Sequence, residues 1–290
     1  MLTIKTPAKI NWALSVLRKR EDGYHDIISL IHAIDVYDTL IFEEAKEIEI
    51  CCSLPIKKEN NLVYRAAQAL QKYSGLNNGV KIQVIKEIPV GAGLAGGSSN
   101  AAATLKALNK LWNLNLSSGE LKSIGETLGS DISFFFNLPI CIVEGRGEIV
   151  KPLNIQRSFC LLLVKPPFSI STRWAYESLE IESELTENYQ KINNNIWQLY
   201  EFLCQGTGEN IHLWNDLEKV VIKKYPLIKE IKRRLLAVGA KASLMSGSGS
   251  TVFGVFNSEE EAKLALKRFS GYWVRVAHTL VSEDLNISMS

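Results

Sequence analysis

The sequence predicts an α+β fold in two parts, and three observations predict it. Strand-like alternation marks residues 47–52 and 80–85, with a helical stretch between them. A glycine-rich turn then runs directly into a second helix. After Arg157 the pattern changes to a strand, several helices and a closing strand–loop–strand–helix–strand series. A chain of 290 residues accommodates two domains of ordinary size, drawn here as residues 1–156 and 157–290.

Taken in order, the alternation in 47–52 and 80–85 suits an antiparallel sheet with one wet face, and residues 62–73 form the helix between the two strands. Residues 98–112 form a helix with Ala101, Leu105, Leu108 and Trp112 along one face, and residues 119–128 a further one. In the second part, residues 159–164 (FCLLLV) read as a strand. The polar stretch 180–195, with Asn193, Asn194 and Asn195, reads as a surface insertion. Residues 226–238 form a helix stopped by Gly239. Strands at 241–245, 251–256 and 272–279 follow, the last preceded by a helix with the capping signature Ser258–Glu261. This is the split β-α-β layout of ferredoxin-like domains.

Composition narrows the function. Thirty-three basic against 31 acidic residues leave a net charge of +2, too weak a field to hold a polyanion, which excludes a nucleic-acid partner. No apolar run approaches the ~20 residues of a membrane span, and Lys5, Lys9 and Asn11 break any signal-peptide core. The five cysteines form no CxxC pair and are odd in number, which fits a reducing cytoplasm. Small charged ligands remain open as partners, and so does the choice between monomer and homodimer.

The densest signal is the run from Pro89 to Asn100, PVGAGLAGGSSN. Gly91, Gly93 and Gly96 spell G-x-G-x-x-G, but the preceding strand carries Lys81, Gln83 and Lys86 and the helix leads to another helix, so the dinucleotide context is missing. A P-loop ending is missing too. Glycines here leave an approaching phosphate unobstructed, and the turn feeds a helix N-terminus whose free N–H groups and dipole favour anions. The competing reading is a turn that lets an alanine-faced helix pack closely on its sheet. Two further stretches stand apart: TPAKIN (residues 6–11) with DGYHD (22–26) near the start, and Ser246–Gly–Ser–Gly–Ser250 near the end.

These stretches, in this order, resemble the motifs of the GHMP kinase superfamily. Together with ENNLVYRAA, LGSDISFFF and EGRGE they resemble the branch that phosphorylates the 2-hydroxyl of a cytidine diphosphate-linked methylerythritol in non-mevalonate isoprenoid synthesis. The resemblance covers nearly the whole chain. It implies an N-terminal domain related to ribosomal protein S5 domain 2, a C-terminal ferredoxin-like domain, and an ATP-dependent kinase site between them. The sequence reads Leu94-Ala95-Gly96 where many relatives have Leu-Gly-Gly.

Residue roles follow from the resemblance. Asp131, in LGSDISFFF, matches the general base, set against an aromatic wall; its competing role is a helix N-cap. Lys9 matches the active-site lysine, with a solvated surface lysine as the alternative. Tyr24, His25 and Tyr176 would clamp the cytosine, and Asn11 and Thr172 would position substrate, although Thr172 also suits a helix cap. Asn61, Leu62 and Lys86 would frame the adenine; Asn61 equally suits a helix cap and Lys86 a solvated strand face. The triphosphate would lie along Pro89, Val90, Gly91, Ala92, Gly93, Leu94, Ala95, Gly96, Gly97, Ser98 and Ser99, with Mg²⁺ bridging its oxygens. No residues show metal-ligand spacing; Glu144 is a second carboxylate candidate beside Asp131. Kinases of the superfamily for homoserine, mevalonate or sugars have no use for the aromatic set, and a non-catalytic sensor has none for Lys9 and Asp131.

Overall fold

Two long antiparallel strands, β1 (Leu2–Lys19) and β2 (His25–Glu43), organise the first half of the computed structural model, which describes residues 1–180, 186–206 and 212–284. Neither shows a clean period of two along its whole length, because residues 6–16 of β1 and 27–34 of β2 are buried without interruption; β2 alternates only from Asp35 onward. Register shifts at Pro7/Ala8, Asn11/Ala13 and Val16/Arg18 scramble the alternation further, the first at a proline that has no N–H to give the ladder.

Around this pair the first sheet adds β3 (Ile48–Cys52), β4 (Val80–Ile85), β5 (Ile140–Gly145), β6 (Ile149–Leu153) and β8 (Trp214–Asn215) in the order β3-β4-β2-β1-β8, with β5 beside β2 and β6 beside β5. The strand β2 is long enough to pair β5 over Ile27 to His32 and β4 over Thr39 to Glu43. The expected antiparallel arrangement is corrected for β3 and β4, which run parallel and are joined by helix α1 (Leu62–Ser74). Alternation reports one wet face and says nothing about direction, whereas a helical crossover brings the chain back parallel.

Helix α2 (Gly96–Leu111) starts two residues earlier than expected, with the glycine pair inside its first turn. Helix α3 (Ser118–Glu126) opens on a full capping box between Ser117 and Glu120, and a 3₁₀ turn, Ser130–Phe136, follows.

The second sheet contains β7 (Cys160–Lys165), β9 (Ala242–Met245), β10 (Val252–Phe256) and β11 (Trp273–His278) in the antiparallel order β11-β7-β10-β9, the ferredoxin-like arrangement. Helices α4 (Thr172–Glu177), α5 (Thr186–Gln205), α6 (Glu218–Lys224) and α7 (Leu227–Ala237) lie between β7 and β9, and α8 (Glu259–Leu266) between β10 and β11. The expected surface insertion at 180–195 is corrected. Residues 181–185 lie outside the described residues, but Asn193, Asn194 and Asn195 belong to α5, whose Ile196, Leu199 and Leu203 enter the core at helical spacing.

One apolar cluster joins the two sheets. Trp12 of β1 meets Phe159 and Phe253 edge-on, with ring centroids 5.3 and 5.7 Å away. Its indole N–H donates to His32 Nδ1 at 3.0 Å, and His32 Nε2 contacts the Leu280 carbonyl at 2.8 Å. Both ring nitrogens of His32 are therefore committed, and burial pushes its pKa down to about 4. Among the described residues no helix is long and apolar enough to cross a membrane.

Candidate functional site

Within the irregular part of β1, Lys9 is 4% exposed. Its ammonium donates to Asn11 Oδ1 at 2.6 Å, Asn11 Nδ2 donates to Ser29 Oγ at 2.8 Å, and that hydroxyl donates to the Ala13 carbonyl at 2.6 Å. This relay fixes both side chains. Burial pulls the Lys9 pKa below its ordinary value and the nearby Asp131 carboxylate opposes the shift, so the solvated-surface reading of Lys9 fails.

Beside Lys9 lie both glycine loops, stitched to each other and to β1 through their carbonyls. Lys9 N donates to Leu94 O at 3.1 Å, Thr251 N to Ala92 O at 3.1 Å and Ser246 Oγ to Gly93 O at 3.0 Å. Gly93 (φ +75°) has no room for a Cβ, which would run into the Ser246 carbonyl; Gly247 (φ +55°) would point one at the Lys9 ammonium, 3.1 Å away. Asn215 holds the second loop, donating from Nδ2 to Met245 O (2.8 Å) and Gly247 O (2.7 Å). At the start of α2, Ser99 N already bonds Ala95 O, which leaves the first-turn N–H groups of Gly96, Gly97 and Ser98 without partners inside the helix.

Lys9, Asn11 and parts of both glycine loops line a cavity of about 810 Å³. Of the expected loop residues, Pro89, Val90, Gly91, Ala92, Gly93, Ala95, Gly96, Gly97 and Ser98 face it; Leu94 (1% exposed) and Ser99 (2% exposed) do not, because successive residues of a turn entering a helix point to different sides. The glycines also divide in purpose. A Cβ at Gly96 would stand 2.8 Å from Ile88 Cγ2, so Gly96 serves close packing, while exposed Gly97 leaves the cavity open. The close-packing reading therefore holds at Gly96, while Gly97 keeps a surface free of side chains.

A second lobe of about 660 Å³ adjoins the first, and Asp131, Thr172 and Tyr176 belong to both. Asp131 lies in the first turn of the 3₁₀ segment, whose N-cap is Gly129, so it is not a cap. The expected aromatic wall is corrected as well: Phe134 and Phe135 point into the core, and the ring that feels the Asp131 charge is Tyr176, whose phenol is pushed upward by burial and by that carboxylate. Among the described residues no protein group donates a hydrogen bond to Asp131, and it is the sole acid lining the larger lobe.

The smaller lobe holds Tyr24, His25 and Tyr176. His25 and Tyr176 are in direct contact, with centroids 5.4 Å apart and planes tilted by 32°. Two stacking gaps of about 3.4 Å each do not fit between them, so of the expected set His25 and Tyr176 form a single wall. Tyr24, 52% exposed, stands under the Arg146 guanidinium at 5.1 Å. Burial and Lys19 keep the His25 pKa below its ordinary value, which favours the neutral imidazole with one donor and one acceptor. Thr172 does not cap α4; Ser171 does, and Thr172 Oγ1 instead pairs with Ser248 Oγ at 2.8 Å.

At the far end of the larger lobe, Asn61 and Leu62 line the wall, and Asn61 also caps α1 by accepting from Val63 N at 3.0 Å. Lys86 lines it too, but its solvated-strand reading fails: the ammonium is buried in an ion pair with Asp38. Glu144 lines neither lobe; it is held by Lys151 (2.8 Å) and the Tyr189 hydroxyl (3.2 Å). Sequence reasoning missed Arg146, although EGRGE was in view, and Ser248, which belongs to the noted second glycine loop. It also missed Asp38 and Asn215, which carry no local signal at all.

Comparison with known proteins identifies the family. Family models match at residues 61–145 (GHMP kinases N terminal domain) and 198–275 (GHMP kinases C terminal). The chain is 64% identical over 281 residues to a 4-diphosphocytidyl-2-C-methyl-D-erythritol kinase of Thermodesulfovibrio yellowstonii, covering 97% of this chain and 99% of that one. A crystal structure of 4-(cytidine 5'-diphospho)-2C-methyl-D-erythritol kinase superposes with a TM-score of 0.79 at 32% identity, over 95% of this chain and 99% of that one. A homoserine kinase from Cytophaga hutchinsonii shares the fold alone, with a TM-score of 0.70 at 20% identity over 96% and 95% of the two chains. Near-full-length identity of this order, on a fold that the superfamily shares, places the chain in the 4-diphosphocytidyl-2-C-methyl-D-erythritol kinase family of GHMP kinases.

Proposed function

We propose that the chain transfers the γ-phosphoryl group of ATP to the 2-hydroxyl of 4-diphosphocytidyl-2-C-methyl-D-erythritol, with ATP in the larger lobe and the cytidine end in the smaller one. The observation that carries this reading is the junction: Asp131, which no donor among the described residues reaches, belongs to both lobes, where an acceptor hydroxyl would meet a phosphate. Asp131 takes the hydroxyl proton as that oxygen bonds to the γ-phosphorus and the bond to ADP breaks. Lys9, held by Asn11, supplies the positive charge that offsets what develops on the moving group. The unpartnered N–H groups of Gly96, Gly97 and Ser98 hold phosphate oxygens at the positive end of α2.

The donor set also fits Mg²⁺, which commonly binds through one or two carboxylates plus substrate phosphates. Asp131 is the acid available for it, and the ion would neutralise phosphate charge when bound. In the smaller lobe the cytosine stacks on Tyr24 or on the His25–Tyr176 wall, with neutral His25 bonding the base edge. The five free cysteines support a reducing, cytoplasmic setting. The test is direct: purified protein with ATP, Mg²⁺ and either the cytidine substrate, homoserine or mevalonate, with ADP release recorded. Turnover on homoserine or mevalonate at a rate equal to the cytidine substrate would overturn the assignment.

A further inference from the structure

We propose that Asp38 is a positioning residue for the nucleotide end of the cleft, an inference that rests on ATP occupying the larger lobe. Asp38 belongs to β2 and is 0% exposed. Its Oδ1 accepts from Glu87 N at 2.8 Å and Ile88 N at 2.9 Å; its Oδ2 accepts from Asn100 Nδ2 at 2.9 Å and pairs with Lys86. Asn100 is held in turn by Thr6 of β1, whose hydroxyl donates to Asn100 Oδ1 at 2.6 Å. One carboxylate therefore joins β2, the segment leaving β4 and the second turn of α2.

That placement bears on ATP in two ways. Residues 86–88 lead from β4 into the glycine turn, and Ile88 packs under Gly96 at the start of α2, so Asp38 sets the spacing between the strand exit and the helix entry across which the triphosphate would lie. Asp38 also consumes the charge of Lys86. The lysine lines the cavity as an oriented, neutralised wall and leaves the role of cation towards the phosphates to Lys9. A buried carboxylate is stable only with partners of this quality, and here all of them lie on the nucleotide side of the site.

The experiment compares the wild type with Asp38→Asn and with the double variant Asp38→Asn/Lys86→Met, which removes the orphaned lysine charge should the single variant be too unstable to assay. Affinities for ATP and for the cytidine substrate are measured separately by calorimetry in Mg²⁺, with the melting temperature on each preparation. The expected result is an ATP affinity reduced about tenfold or more in both variants, with cytidine-substrate affinity within about twofold of wild type. The double variant recovers melting temperature without recovering ATP affinity, and it binds ATP more weakly than a Lys86→Met control that keeps Asp38. ATP affinity that returns with the melting temperature, or equal losses for the two ligands, overturns the proposal and leaves Asp38 a purely structural node. A wild type that binds no ATP overturns the reading of the lobe itself, and the positioning role with it.

Discussion

Asp38, buried behind the larger lobe, and Asp131, which lines it, are satisfied in opposite ways. Four protein donors saturate Asp38, whereas none among the described residues reaches Asp131. The two histidines repeat the contrast: His32 has both nitrogens bonded inside the protein, while His25 offers its edge to the smaller lobe. Buried polar groups are nearly always paired, so those that are saturated internally build the scaffold and those left open are reserved for a ligand. Substitutions should then separate into two kinds: those at open groups change activity at unchanged stability, and those at saturated groups change stability, with any effect on a ligand passing through the scaffold.

The strongest way to break this contrast is Asp131→Asn. Loss of the proton acceptor should lower turnover by ~10² to 10⁴, while the melting temperature changes little because no hydrogen bond from the described residues is lost. A variant retaining more than about half its activity ends the catalytic assignment. His32 provides the opposite case. Its folded pKa is about 4, whereas the unfolded chain titrates near 6.5, so the unfolded state takes up a proton first as pH falls. Stability should be intact above about pH 6.5 and decline towards pH 4, by about 3 kcal/mol in all. Urea unfolding at several pH values measures this slope, and His32→Gln should remove it.

Next in size is Tyr176→Ala, which takes away part of the aromatic wall. Affinity for the cytidine substrate should fall by ~1 to 3 kcal/mol, roughly 5- to 150-fold, with ATP affinity nearly constant. Equal calorimetric losses for both ligands would show that the smaller lobe is not the cytidine end. Asn61 straddles the two kinds, since it caps α1 and lines the larger lobe. Asn61→Ala should cost about 1 kcal/mol of stability. Asn61→Asp restores the cap, so any ATP affinity still missing in that variant belongs to the amide.

Legibility in the sequence followed the same division. Lys9 stood out as a cation in an apolar run, and glycine density announced the phosphate-type turn, because both are local properties. The ferredoxin-like series was readable from its strand spacing. The long strands β1 and β2 were not, since burial on both faces and three register shifts erase the period of two. Leu94 and Ser99 were included because they fall inside the motif, although the turn of the backbone carries them away from the cavity. Asp38 had no signal: its partners Lys86 and Asn100 lie 48 and 62 positions away, and only folding brings them together.

The shared core has a consequence for how the chain is made. Trp12 leaves the ribosome early, but its partner Phe253 belongs to the penultimate strand, and Ala13 waits for Trp214. At ordinary elongation speeds, about 200 residues take roughly 10 to 40 s to follow. Throughout that interval the apolar middle of β1 has only part of its covering. The nascent chain thus presents the kind of exposed surface that chaperones bind.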